Sequence, residues 1–183
     1  MAMPSVAARP RGFPRHAGDV LTALRIAATP LFAALVCEAP LDRAAGWAAG
    51  VLFAAIAASD FVDGRLARRA GDAGALGRVL DHGADIFFIL SALTSYAVMG
   101  LVPWWVPAAV ALSFGAYALD SRRARLSASR IGHYGGVLNY ALIGVLVYNE
   151  STGLRLLPPV VIAIAYGFVP VYSAAAIFER WRS

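Results

Sequence analysis

The chain has 183 residues, of which 60% are hydrophobic and 15% charged. With its Gly counted in place of its Tyr the apolar share is roughly two thirds, well above the roughly 45–50% of soluble domains, which excludes disorder and argues against an ordinary soluble globule. The net charge of +5 comes from sixteen arginines and no lysine, set against eleven carboxylates; in so apolar a chain it points to cytoplasmic loops facing anionic lipid, and nucleic acid is not expected as a partner.

Residues 1–19 form a basic juxtamembrane segment carrying Arg9, Arg11 and Arg15, and an apolar run follows from Val20 to about Glu38. That run contains Arg25 and has no small-x-small cleavage site before a soluble domain, so it is expected to stay as a first helix and not to be removed as a signal peptide. Five more spans are expected at 44–64, 84–100, 103–120, 134–149 and 157–178, divided by charge clusters and Gly/Pro breaks. Pro103 and Pro107 suit the opening of the fourth, where missing backbone donors cost little, and Trp104 and Trp105 suit a headgroup-level belt. The fifth is the least hydrophobic, with Asn139, Tyr140 and Tyr148. Six spans of about 20 residues each leave no room for a separate soluble domain. The expected fold is a single all-α integral membrane domain over 1–183 with six transmembrane helices.

Arginine counts set the orientation. The N-terminal segment, the 64–83 loop, the 121–133 loop and the C-terminus hold thirteen, whereas the opposite side holds only Arg43 and Arg155. The positive-inside rule then places both termini in the cytoplasm. The single cysteine, Cys37, has no partner for an internal disulfide or a metal site.

Around the end of the second span the sequence reads SDFVDGRLARRAGDAGALGRVLDHGADIFF. Asp60 and Asp63 are three apart and Asp81 and Asp85 four apart, so on helices each pair shares a face. If the 64–80 connection folds back, four carboxylates converge at the cytoplasmic edge of the bilayer. Such charges would repel one another and cost several kcal/mol in desolvation unless cations lay between them. Oxygen-only ligands select hard divalent ions, Mg²⁺ or Mn²⁺, over Zn²⁺, and two ions would neutralise the site and hold a pyrophosphate. Gly64, Gly77 and Ala67 keep the approach open, and Arg68 can grip a phosphate bidentately. Solvated loop carboxylates paired with arginine are the plainer account; they fit Asp72 but not Asp60 and Asp63, which interrupt an apolar helix.

These residues resemble the CDP-alcohol phosphotransferase (CDP-alcohol phosphatidyltransferase) family, whose signature is D-x-x-D-G-x-x-A-R, seven or eight residues, then G-x-x-x-D-x-x-x-D. The chain has DFVDGRLAR, eight residues from Arg69 to Leu76, then GRVLDHGAD, with every fixed position matched. The resemblance implies transfer of a substituted phosphate from a CDP-linked donor to an alcohol, with release of CMP. It implies that Asp60, Asp63, Asp81 and Asp85 bind the metals, that Asp85 is also the base for the acceptor's proton, and that Gly64, Ala67, Arg68 and Gly77 line the cytidine diphosphate pocket. It also suggests a homodimer, and the expected location is the bacterial inner membrane with the site facing the cytoplasm.

The family often opens its first span with P-N-x-L-T-x-x-R; here GDVLTALR keeps Thr22 and Arg25 but has Asp19 in place of Asn. Thr22 is thus a candidate on the donor side and Arg25 on the acceptor side, with Arg25 equally readable as a snorkelling interfacial side chain. His82 and Ile86 stand where bacterial phosphatidylglycerophosphate synthases usually have Pro and Lys, and DHGAD is similar to the DHGCD of eukaryotic choline and ethanolamine phosphotransferases. SRIGHYGG stands in place of a Lys-rich G-K-x-K-T, with His133 and Gly135 at the lysine positions. Arg122, Arg123, Arg125 and Arg130, with His133, are candidates for an acceptor's phosphate; as a positive-inside anchor the arginines are equally well explained. Lone His82 and His133 are better explained by local hydrogen bonding than by catalysis, although a His beside a metal-binding Asp could serve a proton relay.

The expected function is transfer of a phosphatidyl group from CDP-diacylglycerol to the hydroxyl of a polar headgroup alcohol. The reverse arrangement, CDP-choline or CDP-ethanolamine with diacylglycerol as acceptor, is the enzyme alternative. A divalent-cation channel or transporter would place its acids near the midplane, whereas these four belong to one face.

Overall fold

The computed structural model describes the backbone of residues 17–70, 75–122 and 130–182, and the side chains of these except 17–19, 60–70, 75–81, 117, 120–122, 130–133 and 180–182. Six α-helices run in order: α1 Ala17–Glu38, α2 Arg43–Ala70, α3 Ala75–Val98, α4 Trp105–Arg122, α5 Arg130–Leu146 and α6 Pro159–Arg182. A π-helical turn, Val147–Ser151, extends α5. No strand occurs among the described residues.

Local chemistry fixes the helix ends. Asp42 caps α2, its Oδ1 accepting the backbone N–H of Ala44 at 2.8 Å. Gly100, at φ +75°, closes α3: its N–H reaches the carbonyl of Ala97 and that of Leu101 reaches Tyr96. This is a Schellman closure, which needs the left-handed conformation that glycine adopts without strain. Pro103 and Pro107 flank the start of α4 as their missing donors allow.

Two helices are longer than their apolar runs. The second span, expected to stop at 64, continues to Ala70, and α3 begins at Ala75. The expected loop at 64–83 is therefore mostly helix, because Arg65, Leu66, Ala67, Arg68 and Arg69 are all good helix formers with no proline among them. At about 1.5 Å per residue, the 28 residues of α2 make a helix longer than the roughly 30 Å of a bilayer's hydrocarbon core. Likewise α5 starts at Arg130, four residues before the expected fifth span.

α1 packs against both α2 and α3, α6 against α4 and α5, and the π turn against α2. Phe32, Phe53, Phe88, Leu93, Tyr96, Ile143 and Leu146 fill the centre. At the end away from the carboxylate signature, α2 meets the π turn almost backbone to backbone: a Cβ on Gly46 would lie 1.9 Å from the Ser151 carbonyl oxygen. The Tyr148 hydroxyl donates to the Gly50 carbonyl at 3.1 Å, and Tyr96 and Ser151 hydroxyls are 2.8 Å apart. Asn149 closes the loop beyond by bonding both the carbonyl and the N–H of Leu157.

The outer surface is apolar. Leu24, Leu31, Leu112, Val160, Ile164, Phe168 and Val171 are all exposed, as is Cys37. Among the described residues two helical stretches, Val20–Glu38 and Pro159–Glu179, are long and apolar enough to cross a membrane, and shorter apolar stretches cover Arg43–Ser59, His82–Val98 and Trp105–Ala116.

Candidate functional site

The site is built outward from Asp85, on the third turn of α3. Its Oδ1 lies 2.5 Å from Nη1 of Arg25 on α1 and accepts the hydroxyl of Tyr140 on α5 at 3.2 Å. The Arg25 side chain is fully enclosed, whereas that of Asp85 keeps 21% of its surface exposed. Three helices thus converge on one carboxylate that a reactant can still touch. An enclosed guanidinium is tolerable only with such a partner, since an unpaired buried charge costs several kcal/mol. Thr29, one turn along α1, turns its hydroxyl onto the Arg25 carbonyl at 2.8 Å and so adds no competing group to the cluster.

Beneath the ion pair lies an aromatic floor. Phe88 stacks on Tyr140 with ring centroids 5.6 Å apart and meets Phe32 at 5.1 Å and Phe53 at 6.4 Å. Phe53 also lies 6.4 Å from Tyr140. Each such pair contributes about 0.5–1.5 kcal/mol beyond burial. Tyr140 therefore has two attachments: its ring belongs to the floor and its hydroxyl to Asp85. On the neighbouring side, the His82 ring lies 5.7 Å from that of Phe114 on α4.

The register of α2 and α3 relates this cluster to the rest of the signature. Phe53 and Phe88, one from each helix, mark a common level. Asp60 lies seven residues after Phe53 and Asp81 seven before Phe88. Seven residues are close to two helical turns, so each aspartate position shares a helix face with its phenylalanine and stands about 10 Å beyond it. Asp85, three residues before Phe88, occupies the same face of α3. The helical register thus suits an all-oxygen donor set for a hard divalent cation.

Of the expected site residues, Asp85, Arg25 and Thr22 have described side chains. Thr22 is half-buried on α1, three residues before Arg25. The side chains of Asp60, Asp63, Ala67, Arg68, Asp81, Arg122, Arg130 and His133 lie outside the described residues, as does any local environment of Gly64 and Gly77; their backbones belong to α2, α3, α4 and α5. Arg123 and Arg125 lie outside them altogether. Among the described residues no three of His, Cys, Asp and Glu gather around one point. Arg25 does not reach towards an interface as a snorkelling residue would; it is enclosed against Asp85. Tyr140 is the participant that sequence reasoning passed over. Its only signal was a polar group in the expected fifth span, and the residue it serves lies 55 positions away.

Comparison with known proteins gives the class. The chain matches the family model for CDP-alcohol phosphatidyltransferase over residues 15–171 and belongs to that family. Over 90 residues it is 38% identical to the cardiolipin synthase (CMP-forming) of Streptomyces coelicolor, a match covering 48% of this chain and 41% of the relative. Over 152 residues it is 33% identical to a Mycobacterium tuberculosis protein named probable phosphatidylglycerophosphate synthase, covering 80% of this chain and 73% of the relative. The chain thus spans about two fifths of the length of the cardiolipin synthase it matches.

Proposed function

We propose that this chain is a membrane-embedded transferase that moves a phosphatidyl group from CDP-diacylglycerol to the hydroxyl of a polar alcohol and releases CMP. The observation that carries this reading is Asp85, a partly exposed carboxylate fixed by an enclosed arginine and a tyrosine, at the end of a signature in which Asp60 and Asp81 fall on the helix faces of Phe53 and Phe88.

Asp60, Asp63, Asp81 and Asp85 would hold two divalent ions, Mg²⁺ or Mn²⁺. Bound there, the ions would supply positive charge to the pyrophosphate oxygens of the donor. The remaining work falls to this chain's own residues. Asp85 takes the proton of the acceptor hydroxyl as that oxygen attacks phosphorus and the bond to the CMP oxygen breaks. Arg68, Thr22, Gly64, Ala67 and Gly77 would bind the cytidine diphosphate portion, and Arg25 holds Asp85 in place. Arg122, Arg130 and His133 would face the acceptor, which favours a phosphorylated alcohol such as an inositol or glycerol phosphate. The relatives' names make phosphatidylglycerophosphate and cardiolipin the first two products to seek.

In this reading all six helices span the bilayer, with both termini and the site on the cytoplasmic side of a bacterial inner membrane, and the protein acts as a homodimer. A site at headgroup level lets the donor's acyl chains stay in lipid while a polar acceptor enters from water.

The test is direct. Purified protein incubated with CDP-diacylglycerol, Mn²⁺ or Mg²⁺ and a panel of alcohols should release CMP and form one new phospholipid, identified by mass. Excess chelator should abolish both and added Mg²⁺ or Mn²⁺ should restore them. Full CMP release in chelator would rule out the metal-dependent reading.

A further inference from the structure

We propose that Tyr140 is a positioning residue for Asp85, fixing the orientation of its carboxylate through a hydrogen bond from α5 while the phenol ring is locked in the aromatic floor. The inference rests on the transferase reading but concerns a residue outside its signature.

Two features of Tyr140 make it suited to orientation. Its ring is held on one side by Phe88, with a centroid separation of 5.6 Å and 25° between planes, and it faces Phe53 at 6.4 Å. With the ring so held, the hydroxyl is aimed by the packing of α2, α3 and α5. That hydroxyl then lies 3.2 Å from Oδ1 of Asp85, the oxygen that also faces Nη1 of Arg25 at 2.5 Å. The two donors arrive from different helices, α5 and α1, and meet at a single oxygen. One donor leaves a carboxylate able to swing about its Cβ–Cγ bond, whereas two donors from separate rigid elements fix the plane of the group.

Arg25 contributes charge as well as direction, so replacing it changes both together. Tyr140 is neutral, and removing its hydroxyl changes direction alone. Hydrogen-bond partners of a metal-binding carboxylate typically matter about 10–100-fold in metal affinity or activity, because a ligand free to rotate loses the geometry its metal requires. A base displaced from the line of the acceptor hydroxyl loses rate by the same physical cause.

The test compares Tyr140→Phe with Tyr148→Phe in purified full-length protein. Tyr148 is a matched control: its ring also meets Phe53, at 6.5 Å, and its hydroxyl also bonds across the bundle, but to the Gly50 carbonyl at 3.1 Å and not to Asp85. Mn²⁺ affinity is measured by calorimetry without substrates. Steady-state kinetics follow at saturating Mn²⁺, with a melting curve for each variant. Tyr140→Phe should bind Mn²⁺ about tenfold more weakly and, once saturated, should turn over about tenfold more slowly with an unchanged KM for CDP-diacylglycerol. Tyr148→Phe should match wild type in both. Tyr140→Phe within twofold of wild type in Mn²⁺ affinity and kcat would overturn the inference while wild-type turnover left the transferase reading intact. Equal losses in both variants, tracking their melting temperatures, would also overturn it by assigning Tyr140 a structural role only. A wild type that releases no CMP with any alcohol would overturn the transferase reading, and the inference with it.

Discussion

At the scale of single residues, Arg25 and Asp85 form one unit, and their predicted effects differ because their surroundings differ. Arg25 is fully enclosed, so Arg25→Met removes the countercharge and leaves Asp85 partly buried beside a thioether. Breaking a buried pair from one side costs about 3–5 kcal/mol, and the exposed fifth of Asp85 argues for the lower end. A lower melting temperature together with lost CMP release is the expected outcome. Asp85→Asn keeps the shape and an oxygen facing Arg25, so the fold should survive while turnover falls about 10²–10⁴-fold for loss of a general base. Near-normal turnover by Asp85→Asn would exclude it as the base. Asp85 was legible in the sequence because a charge at a fixed spacing in an apolar chain has few explanations. The state of Arg25 was not legible, since snorkelling and pairing predict the same residue in the same place. Only the arrival of α3 beside α1 decides between them.

At the scale of elements, close contact between α2 and the π turn sets a sharp test. At Gly46 a methyl group would fall 1.9 Å from a backbone oxygen, and no rotamer change can relieve a clash with backbone. Gly46→Ala must therefore push the π turn away from α2 and strain the Tyr148 and Tyr96 hydrogen bonds beside it. A loss of at least about 1–3 kcal/mol is expected. Gly167, within α6, has open space where its Cβ would lie, so Gly167→Ala should be neutral or stabilising by up to about 1 kcal/mol. Thermal unfolding of both variants in detergent would show opposite shifts if packing governs them. The number and order of helices were readable from apolar runs divided by charge clusters and Gly/Pro breaks, with Pro103 and Pro107 at the opening of the fourth. The lengths of α2 and α3 were not. Beyond residue 64 hydropathy ends but helix propensity does not, and arginine-rich turns continue the helix past the apolar boundary. The π turn was likewise hidden, because VYNES carries no local signature and owes its form to the Tyr96, Gly46 and Leu157 contacts.

At the scale of the whole molecule, the distribution of charge and the placement of the site have to agree. In the sequence, thirteen arginines belong to the segments expected on one side and two, Arg43 and Arg155, to those expected on the other. The ends of α2 and α3 that carry the aspartate signature belong to the arginine-rich side. The opposite end, where Gly46 meets the π turn, has only Arg43 and Arg155. An exposed apolar surface between the two ends is what lipid requires, and buried tyrosine and asparagine hydrogen bonds inside it satisfy polar groups that lipid cannot. The proposed orientation rests on the arginines alone: if the richer side is retained in the cytoplasm, Asp85 stands where the proposed nucleotide product can leave into water. Single cysteines at Arg11, Gly74 and Ser127 in a Cys37→Ala background should each react with a membrane-impermeant thiol reagent only from the cytoplasmic side. A cysteine at Arg155 should react only from the other. Because 71–74 joins the two helices that bear the four aspartates, outside labelling at Gly74 would place the signature on the wrong face for a cytoplasmic nucleotide and would defeat the proposed orientation, whatever the other positions showed.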